Sequence, residues 1–116
     1  MSQPIPFSEL KTALSNWKNT FEGFINNKTG SLPESAFTFE GNDLGALFNT
    51  TVKPHSGEND IAKKLEFQLK KNLLVAADIY TLRNKKDEYL PDYLTDEFAV
   101  TCRNIEKILT ELEQEF

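Results

Sequence analysis

The chain has 116 residues, 39% of them hydrophobic and 27% charged, with a net charge of −5 and a single cysteine. That length fits one domain able to bury a core, and the composition excludes a disordered or membrane-dominated chain. No apolar run approaches the roughly 18 residues of a membrane-spanning helix, and one cysteine excludes an internal disulfide.

The charge is unevenly spread, at net −1 over residues 1–57, +3 over 58–86 and −7 over 87–116. A net-acidic surface argues against nucleic acid as the partner. The basic and acidic segments are expected to face each other in one fold. The sharper alternative is that the acidic end meets a basic partner. The opening "MSQPIPFSEL" has no basic segment followed by an apolar stretch, so no secretory signal is expected. With one cysteine, this points to a reducing cytoplasm. The Asn-x-Thr patterns at Asn27 and Asn49 are then chance matches.

The first element is a helix at about 7–27, with Ser8 as its expected cap. Its apolar residues Phe7, Leu10, Leu14, Trp17, Phe21 and Phe24 step by three and four, the spacing of a bundle seam. Trp17 is expected in the core, against the second or third long helix. The seam is expected to close within the chain; a homodimer in which a second copy covers it is the alternative. The exit "NNKTG" carries residues that tolerate a left-handed helix end.

Residues 31–57 read as an irregular connector, punctuated by Pro33, Gly41, Gly45, Pro54 and Gly57. "NDLGALFNT" reads as a short helix capped by Asn42 or Asp43, and "AFTF" alternates like a strand. A short strand pair near 36–40 and 50–53 is therefore an expectation. The apolar content of the connector requires most of it to pack.

The second long helix is expected at about 58–84, with Ile61, Leu65, Leu69, Leu73, Ala76, Ile79, Tyr80 and Leu82 apolar. The run "LLVAADIYTL" is apolar on more than one face and should be the most buried part. The earlier turns, with Lys63, Lys64, Lys70 and Lys71, should be wetter. Pro91 breaks the chain, and a third helix follows at about 92–115 with the seam Leu94, Phe98, Cys102, Ile105, Leu109, Leu112 and Phe116. Its late acids Glu111, Glu113 and Glu115 oppose the helix dipole and call for a basic neighbour or partner. The fold class is thus mainly α: three long helices in a small bundle, one domain over 1–116, with the connector between the first and second helices.

Chemistry is sparse. The one histidine, His55, lies in the expected turn "KPHSG" with no second histidine or Cys-x-x-Cys to complete a metal set. Cys102 sits in a seam, where a nucleophile gains neither a base nor a lowered pKa. No catalytic residue, metal site or cofactor is expected. The carboxylates Glu40 and Asp43, and Glu111 and Glu115, read as solvated charge rather than as a facing-helix metal site.

The function expected is that of a small acidic interaction protein, which binds and regulates or inhibits another macromolecule. The alternative is an all-α, carboxylate-dependent metal enzyme. The expected binding surface is "DEYLPDYLTDEF", with Asp87, Glu88, Tyr89, Leu90, Asp92, Tyr93, Asp96 and Glu97. The helical period does not require Tyr89 or Tyr93, aromatics supply interface area, and the acids would steer a protein partner with a basic surface. No membrane partner is expected.

Overall fold

A computed structural model describes residues 5–27, 32–56, 59–84 and 90–115 of the chain. The long helices α1 (Phe7–Asn27), α4 (Asp60–Asn84) and α5 (Asp92–Glu115) lie where the seam spacings place them. Between the first two run a 3-10 turn (Glu34–Phe37), α2 (Asp43–Leu47), a π-helical turn (Phe48–Val52) and α3 (Lys53–Ser56). The fold is mainly α, and no strand occurs among the described residues.

All six apolar residues of the α1 seam are buried, as are Leu94, Phe98, Cys102, Ile105, Leu109 and Leu112 of α5. They meet Ala62, Leu65, Leu69, Leu73, Val75, Ala76 and Ile79 of α4 in one core. α4 and α5 share the most extensive interface, and α1 lies against the pair. The α4–α5 pair is antiparallel: Lys71 meets Glu97, while Gln68, earlier on α4, meets Asn104, later on α5. The seam of α1 is therefore closed within the chain.

The strand expectation for "AFTF" fails for a local reason. Thr38 donates to the Ser35 carbonyl, accepts from the Gly41 N–H, and offers its own carbonyl to Asn42. The Asn42 side chain donates to the Ala36 carbonyl at 2.9 Å. The backbone groups of Ala36 and Thr38, which a strand would leave for a partner, are thus satisfied locally, which favours a turn over a ladder. Asn42 also caps α2, accepting from Leu44 and Gly45 N–H. Residues 50–53 are helical too, with the Thr50 and Thr51 hydroxyls bonded back to the Ala46 and Leu47 carbonyls. The Lys53 N–H reaches the Phe48 carbonyl, five residues back. This wider π turn leads into Pro54, which has no N–H and would crowd the Thr50 carbonyl in a regular helix. His55 consequently lies in α3 rather than in a turn.

The start of α1 differs from expectation, and long-range contacts add to the other helix ends. Ser8 lies inside α1 rather than capping it, and Asn59 caps α4 by accepting from Ile61 and Ala62 N–H, with Asp60 in the first turn. Arg83 donates at 2.7 Å to the Ile25 carbonyl, placing its cation on the last turn of α1. The late acids of α5 find neighbours: Glu113 pairs with Lys11 of α1 at 2.8 Å, and Glu115 accepts from Asn59 at 3.0 Å.

Gly45 is buried in α2, and a Cβ built there would collide with the Phe39 backbone carbonyl. Glycine to alanine in a helix interior ordinarily gains up to about 1 kcal/mol. Here Gly45→Ala is expected to lose about 1–3 kcal/mol by overpacking. Urea denaturation checks this; a stabilised Gly45→Ala would mean that the 39–45 approach is looser than described.

Candidate interaction surface

One polar network crosses the core. Asn72 of α4, 1% exposed, accepts from the Trp17 indole N–H at 2.8 Å and donates to the Thr101 hydroxyl at 2.9 Å. Thr101 directs its own proton to the carbonyls of Glu97 and Phe98 on α5. Each side-chain polar atom of the network has a partner, so it ties α1, α4 and α5 in one register without an unpaired cost. Asn72 also donates to the Cys102 sulfur at 3.4 Å. Burial pushes the Cys102 thiol up to about 11, against the lowering effect of that hydrogen bond and of Lys18. The thiol stays protonated at neutral pH, the wrong state for a nucleophile. A groove of about 190 Å³ between α1 and α5 reaches it.

Among the described residues, no three His, Cys, Asp or Glu side chains gather to hold a metal ion. No described helix is long and apolar enough to cross a membrane.

The outward side of the α4–α5 pair is where the apolar surface lies. Phe67 is 63% exposed, Leu74 69%, Tyr93 69% and Val100 40%. Phe67 and Leu74 are seven residues apart on α4, as are Tyr93 and Val100 on α5, so each pair lies along one ridge. The Lys71–Glu97 ion pair, at 2.9 Å, bridges the ridges. Phe67 and Leu74 stand one helical turn either side of Lys71, and Tyr93 and Val100 one turn either side of Glu97. Four large apolar side chains therefore frame one ion pair. The facing of basic and acidic segments expected from sequence is realised in this ion pair. A further concavity of about 780 Å³ runs along α5 from Val100 and Asn104 to Glu111.

Of the expected binding residues, Asp92, Tyr93 and Asp96 are exposed, and Glu97 is half-buried beside Lys71. Leu90 packs half-buried against the core, so it supports the surface rather than forming it. Asp87, Glu88 and Tyr89 lie outside the described residues. The sequence reading missed Phe67 and Leu74. It placed Leu74 in the most buried run, yet only Leu73, Val75, Ala76 and Ile79 of that run are fully buried. The signal was present in the seven-residue spacing of Phe67 and Leu74 among lysines, opposite the inward stripe of Leu65, Leu69, Asn72 and Ala76.

Comparison with known proteins finds no matching family model, no matching curated protein and no matching solved structure.

Proposed function

We propose that this chain is a small acidic interaction protein of the cytoplasm, which binds another macromolecule and thereby regulates or inhibits it. One observation carries the reading: Phe67, Leu74, Tyr93 and Val100 are all exposed on the outward side of α4 and α5. Leaving so much apolar side chain in water forgoes the stabilisation of burying it, and a monomer's contiguous apolar patches of a few hundred Å² are often functional. Asp92 and Asp96 beside Tyr93 give the α5 end of this surface its negative field, suited to steering a protein partner with a basic surface.

Tyr93→Ala and Asp96→Lys are expected to leave the melting temperature within a degree or so, since exposed substitutions shift stability little. Both are expected to reduce partner capture from the native cell extract, and Asp96→Lys most strongly at low salt. Unchanged capture with both variants removes the surface from the function. The competing metal-enzyme reading makes the opposite thermal prediction: divalent ions would raise the melting temperature and EDTA would reverse it. No such shift is expected.

A further inference from the structure

We propose that the groove between α1 and α5 binds a small molecule through one oxyanion group, a carboxylate or a phosphate, held by Lys18 and Arg103. The groove lies on the α1 flank of α5, apart from the outward α4–α5 face. Cations of two helices meet there. α1 has two cations, Lys11 and Lys18, and both line the groove, seven residues apart on one side of the helix. α5 is rich in carboxylates and has two cations, one of which, Arg103, stands on the opposite wall. The helices run antiparallel, Lys11 beside Glu113 and Trp17 beside Phe98, which brings Lys18 level with Arg103.

Elsewhere between the long helices a cation faces a carboxylate, as Lys11 faces Glu113 and Lys71 faces Glu97. Lys18 shares its groove with Arg103 instead. Among the described residues neither of these two forms an ion pair. Glu22, one turn beyond Lys18, lies outside the lining. Two like charges on facing walls repel each other, and an anion between them is attracted to both.

The lining suits a small organic anion. Leu14 and Cys102 form a buried floor, and the thiol, protonated at neutral pH, brings no negative charge to it. A guanidinium matches two oxygens of a carboxylate or phosphate, and an ammonium adds a point charge. The Ser15 hydroxyl, exposed at the rim, is a further donor. The volume of about 190 Å³ is below the roughly 300–1,000 Å³ of sites for drug-sized ligands, so the ligand is short. Glu106 also lines the groove. Its carboxylate repels a polyphosphate more than a ligand with one oxyanion group.

The full chain is to be titrated with inorganic phosphate and, separately, with butyrate, with chloride holding the ionic strength constant. Binding is read from the backbone amide signals in nitrogen-15 NMR. The signals of Ser15, Lys18 and Arg103 are expected to shift and saturate with Kd of about 0.1–10 mM, the range for ligands of so few atoms. Lys18→Gln and Arg103→Gln are each expected to weaken binding about tenfold, the effect of losing one charge-assisted hydrogen bond. Glu106→Gln is expected to tighten it about threefold, since a like charge leaves a partly exposed site. That gain does not arise from misfolding. Lys70→Gln serves as the control, because Lys70 lies on α4 over Phe39, 5.8 Å from its ring centre. It is expected to change nothing.

Saturation by either probe supports the site, and the tighter of the two names its oxyanion group. Absence of saturable shifts with both probes up to about 100 mM, ten times the weakest expected Kd, overturns the proposal. Binding indifferent to Lys18→Gln and Arg103→Gln overturns it as well. So does binding that Lys70→Gln weakens equally, which is general attraction of anions to surface cations.

Discussion

Trp17→Ala is expected to cost roughly 3–5 kcal/mol, the scale for deleting a buried aromatic side chain. Trp17 stacks on Phe21 with ring centres 5.2 Å apart and meets Phe37 and Phe98 edge-on at 6.1 and 6.2 Å. Truncation opens a cavity bordered by three rings and strips the Asn72 carbonyl of its donor. The two losses act together, so the upper half of the range is favoured over the lower. Trp17 is the sole tryptophan, so unfolding of the variant is followed in urea by far-ultraviolet circular dichroism rather than by fluorescence. A midpoint shift worth less than about 1 kcal/mol would mean that α1 does not depend on this contact.

Asn72→Asp is expected to add to stability a pH dependence that the neutral amide does not contribute. A carboxyl at this site would be buried on every side, and burial disfavours its charged form. Its folded pKa therefore lies above the ordinary value of about 3.9. The sign follows from linkage. Below that ordinary value the side chain is neutral folded and unfolded, and the variant is close to wild type. As the pH rises from about 4, the unfolded chain releases its proton first. Stability then falls by about 1.36 kcal/mol for every pH unit until the folded carboxyl ionises as well. Above that point the loss is complete and stays constant. Asn72→Leu separates this charge effect from hydrogen bonding. It leaves the Trp17 indole unpaired and is expected to cost about 1–3 kcal/mol at every pH. Urea titrations of the wild type and both variants from pH 4 to 8 give the differences directly. An Asn72→Asp difference that is flat with pH would mean that water reaches the site.

Asn72 also shows where sequence reading stopped. The position falls in the inward stripe of α4, where an apolar residue fits the pattern, and nothing nearby in sequence explains an amide. Its partners are 55 and 29 residues away. Only the packing of three helices makes it necessary. Leu74 is the converse case. Its neighbours in "LLVAADIYTL" are buried, yet a single 100° step turns it out of the core.

Periodicity by itself determined the three long helices and the burial of their seams, because a residue's face on a helix is set by its number. That α1 closes within the chain was an expectation with a homodimer as its alternative, and the packing of the three seams in one core decided it. The cap of α2 was legible to within one residue, Asn42 or Asp43, because a capping side chain serves its own neighbours, and the structure selects Asn42. The connector was not legible: its turns at 34–41 and its π segment are set by which carbonyl each Thr and Asn reaches once Phe39 lies against Phe48, with ring centres 5.6 Å apart. The candidate surface was half legible. Tyr93, Asp92 and Asp96 stood out by composition, but their joining to Phe67 and Leu74 across the Lys71–Glu97 pair was decided by the tertiary structure. The register between two antiparallel helices depends on long-range side-chain pairing, and no local pattern encodes it.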